Sequence, residues 1–343
     1  MTALPPPSAL PERAGPIDAA TLAEIRAANA PVVIRDAVQD WPLVAAGRAG
    51  AGAAIAYLKR APSAKPVGAI MARPEEGGRF FYNAAMTGMN FAKAQGRLEM
   101  FLDDLLHAAS IANPPAMAVQ SEIIPDVLPH LAAENRLPPL GPAIDRVAPR
   151  IWIGNRITVA PHYDVMENLA VCVTGRRRFT LFPPEQIANL YPGPIELTPA
   201  GTPVSVVDTR KPDLQRFPRF AAAWDAAQQA TLEPGDAIYI PYCWWHGVES
   251  LESVNILVNY WWTQGVPEGT GAAYDAMLHA LYAIKPLPPH MRAIWRTWFD
   301  HFVFETGGDP VAHLPPQARG MLGPVTPSLL ERMRRILRQA LSK

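Results

Sequence analysis

Apolar positions change rhythm near the middle of the chain. From Arg150 onward they fall into short β-branched and aromatic runs, at 150–154, 168–173, 179–182, 231–232, 237–240, 246–249 and 255–262. Turn-forming stretches separate them: Thr174-Gly175, Pro192-Gly193 and Glu233-Pro-Gly-Asp236. Many short strands at this spacing predict a β-sandwich or barrel. Before residue 150 the pattern is mixed. Asp18 is placed to cap a short helix with Leu22 and Ile25 on one side. The run 31–35 reads as a first strand, and the Ala-rich stretch 51–60 as a helix. Further strands are expected at 67–71, 79–82 and 116–120, and a helix over 91–109, where Leu98, Phe101, Leu102 and Leu105 keep helical spacing. Residues 122–149 are Pro-interrupted and read as loop or short turns, and 184–191 and 218–230 as helical insertions. After Gly265 the signal is helical. Thr326-Pro327 supplies a cap and first turn, and Leu330, Met333, Leu337 and Leu341 form a stripe against Arg332, Arg334, Arg335 and Arg338. The expected organisation is a disordered leader at 1–15, a β-rich domain with helical and strand elaboration at 16–265, and a helical segment at 266–343.

Composition narrows the class. Apolar residues make up 49% of the 343, enough for a sizeable core, and 31 basic side chains balance 31 acidic ones. That balance gives no reason to expect a polyanion as partner. Cys172 and Cys243 are the two cysteines, which argues for a reducing compartment rather than a disulfide framework. The first 16 residues are Pro-rich, without the basic start and apolar stretch of a signal peptide. No apolar run is long enough to span a bilayer. A soluble, cytoplasmic protein with no membrane partner is the expectation.

Chemistry concentrates in Ala160-Pro-His-Tyr-Asp164. Residues two apart on a strand project from one face, so His162 and Asp164 set an imidazole nitrogen beside a carboxylate oxygen. Downstream, Glu233 to Asp236 is a turn, 237–240 a buried strand, and Trp244-Trp-His246 the start of a strand bearing a second histidine. A double-stranded β-helix folds that way to return His246 opposite the first two ligands. Two His and one carboxylate occupy one face of an octahedral ion and leave three positions open, the geometry of non-haem Fe(II) oxygenases. His107, His130, His279, His290, His301 and His313 lack a ligand partner at suitable spacing and are expected to be structural.

Together with Asn168, Leu181-Phe-Pro-Pro184, Gly235-Asp236, Tyr239-Ile-Pro241, Glu249-Ser250, Val258-Asn259 and the earlier Trp41-Pro42, these residues make the chain resemble the cupin-like JmjC family of Fe(II)- and 2-oxoglutarate-dependent dioxygenases, most of all its asparaginyl-hydroxylase branch. The resemblance runs from about 30 to about 265. It implies a jelly-roll core, a double-stranded β-helix. Fe(II) would be held by His162, Asp164 and His246, with 2-oxoglutarate chelating through its 1-carboxylate and keto oxygen and O₂ at the remaining position. In the asparaginyl-hydroxylase branch a Lys meets the distal carboxylate, and Arg177 stands at that position here. Strand parity sets Arg177, Phe179 and Leu181 on one face and Arg178 and Thr180 on the other. An Arg fork suits a carboxylate, and which of Arg176, Arg177 and Arg178 serves is left open. Asn168 and Asn259 match positions that hydrogen-bond near the cosubstrate. Val159 replaces a Thr of the branch, with Thr158 out of register, and Tyr82 is the candidate for the lost hydroxyl. Trp261 borders either the substrate pocket or the core. The implied activity is hydroxylation of a C–H bond in a protein, peptide or amino-acid-like substrate. Alternatives are the N-methyl demethylase branch and a metal-binding cupin that is not an oxygenase. The C-terminal helices are expected either to form a homodimer or to pack on their own barrel.

Overall fold

In a computed structural model, which describes residues 4–342, the chain divides into two compact units, one ending at Thr263 and one beginning at Gln264. The first is built on eight strands: β1 (Arg150–Gly154), β2 (Thr158–Tyr163), β3 (Glu167–Thr174), β4 (Arg177–Phe182), β5 (Gln228–Leu232), β6 (Ala237–Ile240), β7 (Trp245–Ser250) and β8 (Asn255–Trp262). They are shared between two antiparallel sheets, in the order β5-β4-β7-β2 and β6-β3-β8-β1. This is the two-sheet β architecture that the apolar pattern predicts, in the jelly-roll form that the resemblance implies.

Both faces of the larger sheet are covered, which explains why its strands read as nearly continuous apolar runs. In β3, Leu169, Val171 and Val173 join the core formed with Leu43, Ile55, Leu102 and Leu105 of the N-terminal helices. Ala170 and Cys172 face the other way and meet Phe179, Leu181, Val248 and Leu257 between the sheets. Two glycines let the chain turn tightly. Gly175, at φ 72° between β3 and β4, has Asn255 Oδ1 where a side chain would begin, 2.5 Å from an ideal Cβ. Gly235, at φ 104°, bends the chain between β5 and β6. There the Asp236 carboxylate accepts from Glu233 N at 3.0 Å and from Arg35 Nη1 at 2.5 Å.

The N-terminal elaboration extends the larger sheet at both edges. Glu12–Ala14 and Val32–Arg35 lie beyond β6, and Ala116–Ile123, Val67–Ala72 and Phe91–Gly96 lie beyond β1. Three expectations change here. The leader is not disordered where it is described; its residues 1–3 lie outside the described residues. Ser8–Ala9 pairs with β5, and Glu12–Ala14 with Val32–Arg35. Buried Leu10 anchors the segment between the sheets, and the pairing covers two sheet edges, benefits a Pro-rich composition does not reveal. The helix expected over 91–109 is Leu98–Ala108, because Phe91–Gly96 pairs along Val67–Ala72 instead. Pairing context overrides the weak propensity of its alanines. In 218–230 the helix is Phe220–Asp225, and Gln228 already belongs to β5.

The second unit holds helices Ala273–Ala283, Pro289–Phe302 and Pro327–Leu341, none of which buries a side chain. Thr326 caps the last by accepting from Leu329 N at 3.2 Å. Among the described residues no helix is long and apolar enough to cross a membrane.

Candidate metal centre

Antiparallel pairing of β2 with β7 sets His162 opposite His246, with ring centroids 4.3 Å apart. Asp164 lies just past the end of β2, and Cys243 N donates to its carbonyl at 2.9 Å, tying the turn before β7 to the ligand segment. The potential ligand atoms of His162, Asp164 and His246 all lie within 4.8 Å of one another. Trp245 alternates to the opposite face, where it is buried against Tyr163, so β7 is held in the rotation that turns His246 inward.

Tautomers are fixed by the backbone. His162 Nδ1 lies 3.0 Å from Ala160 O, and His246 Nδ1 lies 3.1 Å from Trp244 O. A carbonyl only accepts, so each Nδ1 carries the proton and each Nε2 keeps its lone pair for a metal. Burial and the neighbouring His246 push the His162 imidazole down to about 4, so it is neutral at physiological pH, as a ligand must be. Asp164 Oδ2 accepts from Trp261 Nε1 at 3.0 Å and from Asn168 Nδ2 at 3.3 Å. Asn168 Oδ1 accepts in turn from Asn259 Nδ2 at 3.4 Å, and Asn259 Oδ1 from Trp152 Nε1 at 2.9 Å. A chain of neutral groups thus runs from Trp152 across the larger sheet to the carboxylate.

These groups line a cavity of about 340 Å³ between the sheets. Arg177 and Phe179 of β4, His246 and Val248 of β7, Asn168 and Ala170 of β3, and Leu257, Asn259 and Trp261 of β8 contribute at strand spacing. Arg177 is buried, and its Nε has no hydrogen-bond partner. Among the described residues no carboxylate lies within 4.0 Å of its guanidinium. Burial pushes it down to about 10, so it is still a cation at neutral pH. Its neighbours differ: Arg176 pairs with Glu252 at 2.7 Å and Arg178 with Glu249 at 3.6 Å, both on the outer side. An inward cation without a counter-ion is costly to the fold and suits an anionic ligand.

Of the residues singled out in the sequence, His162, Asp164, His246, Asn168, Asn259, Arg177, Val159 and Trp261 meet at this cavity. Tyr82 does not. Its ring packs behind Ala160 and Val204, outside the lining, because the chain after Phe80 leaves the sheet and only Phe80 reaches the cavity. Sequence reasoning missed Trp152, whose indole satisfies Asn259. Alternation from Ile151 and Ile153 could have exposed it as inward-facing. It also missed Gln120 and Ser121, carried inward by an irregularity in the pairing of Ala116–Ile123 with β1.

Comparisons with known proteins agree with this geometry. The cupin-like domain family matches residues 18–266. HSPB1-associated protein 1 of Homo sapiens is 41% identical over 115 residues, 32% of this chain and 22% of that protein. Lysine-specific demethylase JMJ31 of Arabidopsis thaliana is 38% identical over 136 residues, 38% of this chain and 24% of that protein. tRNA wybutosine-synthesizing protein 5 of Gallus gallus is 34% identical over 145 residues, 38% of this chain and 42% of that protein. The matched stretches therefore span less than half of these relatives. The family match covers both sheets and the histidine–aspartate cluster, and the chain belongs to the cupin-like domain family.

Proposed function

We propose that this protein is an Fe(II)- and 2-oxoglutarate-dependent oxygenase. His162, Asp164 and His246 would hold Fe(II), a donor set of two neutral imidazoles and one carboxylate that suits it. Arg177 would bind the distal carboxylate of 2-oxoglutarate, and the buried guanidinium without a counter-ion is the observation that carries the reading. When bound, iron and cosubstrate supply activation of O₂, which places one oxygen atom in a substrate C–H bond while 2-oxoglutarate leaves as succinate and CO₂. The chain's own part is positional. The Nδ1–carbonyl contacts hold both imidazoles in the ligating tautomer, and Trp261 and Asn168 orient Asp164. Phe179, Val248 and Leu257 keep the inner cavity apolar, which strengthens the pairing of Arg177 with a carboxylate. Protein purified anaerobically should develop a visible charge-transfer band on addition of Fe(II) and 2-oxoglutarate. Absence of the band with iron demonstrably bound would sink the reading.

An amino-acid side chain in a protein or peptide is the favoured substrate, by the likeness to asparaginyl hydroxylases and the balanced charge of the chain. N-demethylation is the second reading, favoured by relatives named as lysine-specific demethylases. Release of formaldehyde from methylated peptides separates the two. A cupin without oxygenase activity would leave Arg177 without a ligand, and 2-oxoglutarate would not bind. For the C-terminal unit the proposed partner is a second copy of this chain. Leu278, Tyr282, Trp298, Phe302, Leu337 and Leu341 are exposed there, more large apolar side chains than a free helical surface usually shows. Light scattering on the full chain should give a dimer that Trp298→Asp with Leu337→Asp dissociates; a wild-type monomer would end this proposal.

A further inference from the structure

Next to the cavity lining, against Ser121 and Trp261, stands a second cation without a counter-ion. Ala116–Ile123 loses register with β1 between Val119 and Glu122, and Ser121 sits there at φ 56°, a left-handed conformation uncommon for serine. That irregularity turns Gln120 and Ser121 into the cavity lining. Arg150 holds it in place. Its Nη1 donates to Ser121 O at 2.9 Å and to Ser121 Oγ at 3.2 Å. The guanidinium carbon lies 5.8 Å from the centroid of the Trp261 ring, which lines the cavity and holds Asp164. Register agrees with this position, because Arg150 is opposite Asn259 and two residues from Trp152, both on the inner face.

Other half-buried arginines have acids. Arg26 grips Glu167 at 2.5 and 2.6 Å, and Arg35 reaches Asp236 at 2.5 Å. Among the described residues no carboxylate lies within 4.0 Å of the Arg150 guanidinium. Nη1 is engaged by Ser121, which leaves the Nε–Nη2 edge to accept a planar anion bidentately. Strained backbone kept at a cavity rim is a frequent mark of a recognition element.

We propose that Arg150, set by the Ser121 bulge, is a specificity-determining residue that reads a carboxylate on the substrate close to the carbon being oxidised. The proposal rests on the oxygenase reading for the identity of the reaction but concerns a group separate from the metal ligands and Arg177. The carboxylate belongs either to an acidic side chain in a peptide or to the α-carboxylate of a free amino acid. Full-length protein, with and without Zn(II) and 2-oxoglutarate, is titrated with terminally blocked peptides in matched Asp/Asn and Glu/Gln pairs, and with free amino acids against their amides. The wild type should prefer the acid over the amide at least tenfold in one of the two arms, the scale of a lost charged hydrogen bond. Arg150→Gln should erase that preference, Arg150→Lys should keep part of it, and Arg150→Glu should reverse it in favour of the amides. Reversal cannot come from a merely damaged fold. No preference in the wild type, or one untouched by Arg150→Gln, overturns the proposal. Acid preference retained where 2-oxoglutarate fails to bind removes the oxygenase reading and leaves the carboxylate reader standing.

Discussion

The two walls of the cavity use the same strand alternation for different ends. On the smaller sheet, β2, β4 and β7 turn His162, Arg177 and His246 inward, groups that bind metals or anions. On the larger sheet, β1, β3 and β8 turn in Trp152, Asn168, Asn259 and Trp261, neutral groups that hydrogen-bond to one another. Asp164 joins the walls: it lies beside the histidines and is held by the neutral chain. The first wall keeps binding capacity that the protein does not satisfy itself, and the second spends its capacity on orientation. Arg150, at the start of β1, is the one charged group the second wall turns toward this side among the described residues, and it is engaged by Ser121 rather than by an acid.

The largest effect should come from the first wall's ligands. His246→Ala leaves one imidazole and one carboxylate, and Fe(II) affinity measured by anaerobic calorimetry should fall by well over the roughly 100-fold typical of losing a supporting contact. Asp164→Ala should do the same. Retained affinity in both variants would show that the metal, if bound, is held elsewhere.

Arg177→Met comes next and has two signs. Loss of the guanidinium should weaken 2-oxoglutarate binding by about 100-fold, the scale of a buried charge-assisted pair, with Fe(II) affinity unchanged. The ligand-free protein should melt higher, by about 1 kcal/mol or more in stability, because a desolvated cation without a counter-ion has been removed. A lower melting point with unaltered 2-oxoglutarate binding would mean that Arg177 is a structural group. The contrast between the walls would then fail.

On the second wall the effects should be smaller. Trp261→Phe keeps an aromatic ring but removes the indole donor to Asp164 Oδ2, leaving Asn168 Nδ2 to donate to that oxygen. Fe(II) affinity should fall by roughly tenfold, the lower end of what supporting contacts contribute, while the melting point moves little. An effect as large as that of His246→Ala would make the indole part of the ligand set in all but name.

How much of this was legible depended on periodicity. His162 and Asp164 could be read because a period of two sets both on one side of a strand, whereas Arg177 was singled out by the family resemblance and strand parity only agreed with it. His246 needed only the turn at Glu233–Asp236 and the strand after it. Trp152 escaped because alternation with Ile151 and Ile153 sets its side of the strand but does not mark an apolar side chain as a hydrogen-bond donor to Asn259. The Ser121 bulge escaped for another reason: no propensity marks a serine for φ 56°, and Arg150, brought alongside by the pairing of β1, bonds to it there. The leader and Phe91–Gly96 form strands because an edge is available to them, which is a property of the folded sheets and not of those segments.

Tyr82 gives the smallest effect and the cleanest check on carrying a family's residue roles into this chain. Its hydroxyl is buried without a hydrogen-bond partner among the described residues, and it approaches Gly193 so closely that an ideal Cβ there would lie 2.7 Å from it. Burial holds the phenol above its ordinary range. Ala160 and Val204 pack against the ring and line the cavity, while Tyr82 does not line it, and neither of their side chains can relay a hydrogen bond. Tyr82→Phe keeps the ring and removes a buried hydroxyl that gains little, so stability should stay level or rise by up to about 1 kcal/mol. Affinity for 2-oxoglutarate should stay within about twofold, since the loss of a direct charged hydrogen bond would cost tenfold or more. A tenfold loss would put the hydroxyl in the cavity after all, and would mean that the second half of the Arg177 clamp comes from the loop after Phe80 and not from Arg177 alone.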